Sequence, residues 1–142
     1  MVTADQQPHI LIIDDTPEIL DLLRELLEDE GYRVSTSREP LDLPGIKALA
    51  PDLIVQDVLF PNSREKGWNL LTLIQIDPEL ARIPLVLCTA ASGLVNEPTM
   101  AANLNRLGVR VILKPFNLDD LLDALRESLA ARRLLRDSMR IA

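Results

Sequence analysis

Four apolar runs in this 142-residue chain each stop at a reactive polar residue. Ile10-Leu11-Ile12-Ile13 runs into Asp14-Asp15, Leu53-Ile54-Val55-Gln56 into Asp57, Leu85-Val86-Leu87-Cys88 into Thr89, and Val111-Ile112-Leu113 into Lys114-Pro115. If the runs are neighbouring parallel strands, three carboxylates, a hydroxyl and an amine converge at the carboxyl edge of one sheet, where open α/β sheets hold their ligands. Crowded carboxylates repel one another and take up protons unless a cation joins them, so the cluster invites a hard divalent ion such as Mg²⁺. Lys114 is then left to bind an anion.

The segments between these runs read as the helices that would hold such a sheet. Thr16-Pro17-Glu18 supplies a capping residue, a proline for the first turn and an acid near the helix start, followed by Ile19, Leu22, Leu23, Leu26 and Leu27 at helical spacing. Gly31 closes that helix, 32–36 reads as a second strand, and 40–50 as a short helix at best, because Pro40, Pro44 and Gly45 oppose a continuous one. Pro51-Asp52 starts the third strand. A third helix is expected over 67–76, a fourth over 97–107, and a last one from Asn117, a cap, through Leu118, Leu121, Leu122, Leu125 and Leu129, continuing to Met139. Strands alternating with helical patterns imply βαβ crossovers and a parallel sheet, here (βα)₅.

The bulk composition agrees with one domain of that kind. It is 47% hydrophobic but only 3% aromatic, so the core must be layered from Leu, Ile, Val and Ala. A net charge of −7 opposes non-specific nucleic-acid binding, which needs Lys and Arg to neutralise phosphates. The charge is uneven: from position 132 onward Arg132, Arg133, Arg136 and Arg140 stand against Asp137, a net of +3, which leaves −10 on residues 1–131. The plain reading of that end is a solvated helix terminus, where cations suit the macrodipole. The single cysteine, Cys88, lies inside an apolar run and cannot form an intramolecular disulfide, so a reducing compartment is expected. Residues 1–9 lack a basic segment followed by an apolar one, and Pro84 and Gly93 break the longest apolar region. Neither a signal peptide nor a membrane span is expected, and the location expected is the cytoplasm.

In Ile12-Ile13-Asp14-Asp15, Val55-Gln56-Asp57-Val58-Leu59-Phe60-Pro61, Leu87-Cys88-Thr89-Ala90 and Leu113-Lys114-Pro115-Phe116, the chain resembles the receiver domains of two-component response regulators, the CheY-like fold. Each piece alone is weak, but all four at strand ends in order make a specific pattern. The resemblance spans 8–131 and leaves 132–142 as an Arg-rich extension of the last helix. It implies a flavodoxin-like, doubly wound five-stranded parallel sheet of order 2-1-3-4-5. It makes Asp57 the phosphoacceptor, taking a phosphoryl group from a phosphohistidine of a sensor histidine kinase or phosphotransfer protein. It further implies that Asp14, Asp15, Asp57 and the backbone carbonyl of Leu59 hold Mg²⁺, for which Mn²⁺ can substitute, with Asp15 binding directly and Asp14 mainly through water. Thr89 and Lys114 would each bind a phosphoryl oxygen, which favours the phosphorylated state and so switches binding of a downstream protein. The plainer readings are an Asp57 that starts a turn, an Asp15 or Thr16 that caps the first helix with Glu18 completing a capping box, and a solvated Lys114. Lys114-Pro115 is a candidate cis peptide by the same resemblance.

The chain departs from the family pattern in three places. Val111 stands where the family often has an aromatic ring, so output is expected to pass through backbone shifts in the loop after Thr89 and the fourth helix. Leu59 and Ala91 stand where hydrolysis is tuned; neither side chain can hydrogen-bond an attacking water, so loss of the phosphoryl group should be slow. The loop 62–66, Asn-Ser-Arg-Glu-Lys, is about two residues longer than usual, either a kinase contact or a tolerated insertion, and Trp68 follows it.

The leading functional reading is a stand-alone receiver, a phosphorylation-controlled binding module and not an enzyme. The alternative is the regulatory part of a larger regulator with a DNA-binding or enzymatic output domain. A Mg²⁺-dependent phosphohydrolase of the haloacid-dehalogenase type fits poorly, because the acid needed two residues after the nucleophile is replaced by Thr16 or Pro17. A homodimer through the fourth and fifth helices is a further expectation, with Leu134, Leu135 and Met139 extending the surface or covering the protein's own core. No direct nucleic-acid or membrane partner is expected.

Overall fold

Residues 7–39, 41–56, 76–89, 98–106, 108–114 and 117–141 are described in a computed structural model of the chain; for Thr89, Met100, Asn103 and 132–141 the description covers the backbone alone. The elements are β1 (His9–Ile13), α1 (Pro17–Asp29), β2 (Arg33–Ser37), α2 (Leu43–Leu49), β3 (Leu53–Gln56), a 3₁₀ turn (Leu80–Arg82), β4 (Leu85–Thr89), α3 (Pro98–Arg106), β5 (Arg110–Leu113) and α4 (Leu118–Ile141). Of the expected helix over 67–76 only Ile76, which is helical, is among the described residues, so α3 and α4 are the fourth and fifth helices of the sequence pattern. All strand pairs are parallel, in the order β2-β1-β3-β4-β5.

The apolar runs of β1, β3 and β4 form strands because both of their faces are covered. Leu11, Ile13, Ile54, Leu85 and Leu87 point to a core shared with Ile46 of α2 and Leu104 of α3. Ile10, Ile12, Leu53, Val55, Val86 and Cys88 point the other way, against Leu20, Leu23 and Leu27 of α1 and Leu121, Leu122 and Leu125 of α4. A strand enclosed on two sides has no use for alternation, hence the unbroken Ile, Leu and Val. Each such side chain removed from water contributes about 1.5–3 kcal/mol, opposed by its ordering entropy.

Boundaries follow local chemistry. Tyr32 donates its amide to Leu27 O at 3.1 Å as part of the α1 terminus, so β2 starts at Arg33, one residue later than the pattern suggests. Gly31 supplies the left-handed turn there, at φ 96°. In α2, Pro44 falls within the first turn, where its missing N–H costs nothing, and Asp42 Oδ1 caps the helix by accepting from Gly45 N at 2.8 Å. Ahead of β3, Asp52 clamps β1: His9 N donates to its Oδ2 at 2.7 Å and Asp52 N donates to His9 O at 2.7 Å. Thr16 occupies the N-cap of α1, yet its side chain makes no capping bond, and no capping box joins Asp15 to Glu18.

Candidate functional site

Strand register delivers the chemistry to one edge. Ile13 at the end of β1 pairs with Ser37 of β2 and Gln56 of β3, Gln56 pairs with Leu87, and Thr89 at the end of β4 pairs with Leu113 at the end of β5. Asp14 continues the ladder by donating its amide to Ser37 O at 3.0 Å. Asp14, Thr89 and Lys114 are therefore all brought to the carboxyl edge, as the sequence implies. Asp57 and Leu59 lie outside the described residues, as do the loop 62–66, Trp68, Ala91 and the Lys114-Pro115 junction partner; Gln56, just before Asp57, is fully buried.

Asp14 is the structural hinge of the site. Its residue is 3% exposed, and its two oxygens serve different partners. Oδ1 accepts the Thr16 amide at 3.0 Å, turning the chain into α1, and Oδ2 accepts from Lys114 Nζ at 2.7 Å. The Lys114 side chain is 22% exposed and reaches this carboxylate from the end of β5, with β3 and β4 between the two strands. A buried carboxylate needs compensation, and a charge-assisted hydrogen bond of this length supplies it. The sequence suggested Lys114 as an anion binder without finding its partner in Asp14; the signal available was only opposite charge at two strand ends.

The helix that follows Lys114 is anchored close behind it. Asn117 Oδ1 accepts from Asp120 N at 2.8 Å, so the predicted cap is present, and Asp119 and Asp120 place negative charge on the first turn of α4 where the helix dipole favours it.

The donor set suits a hard cation. Asp15 is half-buried and its Oδ1 receives only a 3.5 Å contact from the Thr16 hydroxyl, whereas both Asp14 oxygens are engaged by an amide and an ammonium. That difference leaves Asp15 the more open of the two carboxylates to a cation. Among the described residues no three acidic, His or Cys side chains gather into a metal cage; the third carboxylate of the expected set is Asp57.

The sequence matches the response regulator receiver domain family over residues 10–126, and the chain belongs to that family. It is 38% identical over 129 residues to the nitrogen assimilation regulatory protein NtrX of Azorhizobium caulinodans, covering 90% of this chain and 27% of that one. It is 31% identical to the C4-dicarboxylate transport transcriptional regulatory protein DctD of Pseudomonas aeruginosa, covering 94% of this chain and 28% of that one. The chain thus spans under a third of the length of these two curated relatives. Among solved structures, NtrX from Brucella abortus superposes with a TM-score of 0.78 at 28% identity, over 96% of this chain and 30% of that one. The chemotaxis protein CheY4 of Vibrio cholerae shares the fold, with a TM-score of 0.70 at 22% identity over 86% of this chain and 98% of that one. Receiver domains of two-component systems act in phosphorelay signalling with histidine kinases and generally use Mg²⁺; they are a signalling fold, distinct from the classical enzyme families. No helix among the described residues is long and apolar enough to cross a membrane.

Proposed function

We propose that residues 8–131 form a receiver in which Asp57 is the phosphoacceptor, with 132–142 an Arg-rich extension of the last helix. The observation that carries this reading is the Lys114–Asp14 contact at the carboxyl edge, with Thr89 ending the neighbouring strand. In the reaction, an Asp57 carboxylate oxygen attacks the phosphorus of a phosphohistidine on a sensor histidine kinase or phosphotransfer protein. The P–O bond forms as the P–N bond breaks, the electron pair leaves on the imidazole nitrogen, and an acyl phosphate results. Asp14, Asp15, Asp57 and the Leu59 carbonyl would hold Mg²⁺ (or Mn²⁺), which supplies positive charge against the carboxylates and phosphoryl oxygens. Lys114 then exchanges Asp14 for a phosphoryl oxygen, and Thr89 takes another. Because both groups bind the modified state more tightly, they bias the protein toward it, which is what a downstream protein reads.

The lengths of the relatives favour a second reading of the architecture, in which this receiver regulates a DNA-binding or enzymatic output domain instead of acting alone. A reading frame that continues past Ala142 supports the joined form, and a stop codon there the stand-alone one.

The test of the chemistry is intact mass after incubation with Mg²⁺ and acetyl phosphate, beside Asp57→Asn. One added phosphoryl group, dependent on the metal and lost in the variant, is the expected result. An adduct that survives Asp57→Asn overturns the assignment of the acceptor.

A further inference from the structure

We infer that the part of α4 beyond the sheet, 130–141, binds the surface of an anionic lipid bilayer as an interfacial helix that does not span it. α4 runs back along β5 from the carboxyl edge, since Arg110 at the start of the strand meets Glu127. From Leu129 to Ile141 the helix continues for about 18 Å at 1.5 Å per residue, past the amino edge of the sheet and away from Asp14 and Lys114.

The side of α4 that meets the core is fixed by Leu118, Leu122, Leu125 and Leu129, which repeat in steps of four and three. The same spacing leads on to Arg132, Arg136 and Arg140. Where the sheet ends, the stripe that covered it changes from leucine to arginine. The apolar positions change sides as well. Leu134 is nine residues past Leu125, about two and a half turns at 3.6 residues per turn, which places it on the opposite side of the helix. Ala130, Ala131, Leu135, Ser138 and Ile141 fall within about 100° of Leu134 around the axis. One helix thus carries two amphipathic stretches of opposite phase, and the uncharged side of the second is turned away from the sheet.

The residues on the two sides select the occupant. Arg132, Arg133, Arg136 and Arg140 against Asp137 give this stretch a net of +3. Nucleic acid would engage the arginines and leave the uncharged side open. A second copy would engage that side, but across a seam half made of Ala and Ser and with +3 set against +3. An anionic bilayer uses both, because apolar side chains enter the acyl boundary while lipid phosphates attract the arginines. The −10 carried by residues 1–131 does not prevent this. Charge is screened over about 8 Å at physiological ionic strength, and the helix projects about twice that distance.

The test uses the full chain without metal or phosphodonor, so its outcome is independent of the phosphoryl chemistry. The probe is cosedimentation with vesicles of equal parts phosphatidylglycerol and phosphatidylcholine at about 0.1 M salt. Saturable binding is expected, at least tenfold tighter than to phosphatidylcholine alone. Arg132→Gln with Arg136→Gln and Arg140→Gln should weaken it about a hundredfold. Leu134→Ser with Ile141→Ser should weaken it at least tenfold. Both variants should keep the melting temperature of the parent. No binding by the parent, equal binding by either variant, or equal binding to neutral vesicles overturns the proposal. So does a lower melting temperature in the serine variant, which would place Leu134 or Ile141 in the core. Tighter binding to duplex DNA than to the vesicles overturns it too, as does a lipid-free dimer that the serine variant abolishes.

Discussion

The Lys114 ammonium and the Asp14 carboxylate neutralise each other in a mostly enclosed setting, and that arrangement can be undone from either side. Removing the ammonium leaves the Asp14 side chain, in a residue 3% exposed, with the Thr16 amide as its remaining hydrogen bond among the described residues. Lys114→Ala should therefore cost about 1–3 kcal/mol in a metal-free urea titration, the usual cost of stranding a buried polar group. Because a divalent ion beside Asp15 can replace the lost positive charge, Mg²⁺ should raise the midpoint of this variant more than that of the parent chain. Equal responses would show that the cation does not act near Asp14. The neighbouring tuning positions make a separate prediction. With Leu59→Asn and Ala91→Glu, the phosphorylated protein should lose phosphate faster, measured by the decay of the acyl phosphate mass; an unchanged rate would mean that water is excluded by something other than these two apolar side chains.

Between elements, Lys47 of α2 meets Asp77 at 2.9 Å and Glu79 at 3.6 Å, tying the helix to the turn ahead of β4, and Asp77 Oδ1 also accepts the Glu79 and Leu80 amides. The Lys47 hydrogen bond, followed by these amides, holds the Asp77 carboxyl below the ordinary aspartate range. A depressed carboxyl contributes stability that is present above its unfolded value and is lost as pH falls through the folded one. Asp77→Asn should flatten the acid limb of the melting profile below about pH 4, with the two proteins differing most at neutral pH. Parallel profiles would place the acid sensitivity elsewhere. Elements of this kind differ in how well the sequence announces them. β1, β3 and β4 are legible because enclosure on both faces leaves an unbroken apolar signature, and the Asn117 cap because its bond is local. α2 looked broken by Pro44 and Gly45, since the pattern does not say that Pro44 falls in a first turn already capped by Asp42. The Lys114–Asp14 contact joins residues 100 apart in the chain, and only the strand order brings them together. Thr16 shows the converse, a residue type suited to capping whose hydroxyl turns to Asp15 instead.

Across the molecule, α4 is longer than the sheet it covers. The furthest of its described side chains to pack on the core is Leu129, while the helix continues to Ile141. Deleting 132–142 should leave stability in denaturant within about 0.5 kcal/mol of the full chain, as for a solvated surface segment. A larger loss would mean that Leu134, Leu135 or Met139 covers the core. The same helix sets a constraint on how the protein is made. Leu121, Leu122 and Leu125 cover Ile10, Ile12, Leu53 and Val55, strands that leave the ribosome long before residue 121 is joined. During synthesis β2 adds to one side of β1, and β3, β4 and β5 then add in turn on the other, while the apolar face that α1 covers in part waits for the last helix to complete its cover. A nascent chain stalled short of about position 118 exposes the part of that face left to α4 to chaperones and to its neighbours on the polysome, so a two-sided parallel sheet stays vulnerable until the last helix covering it has been made.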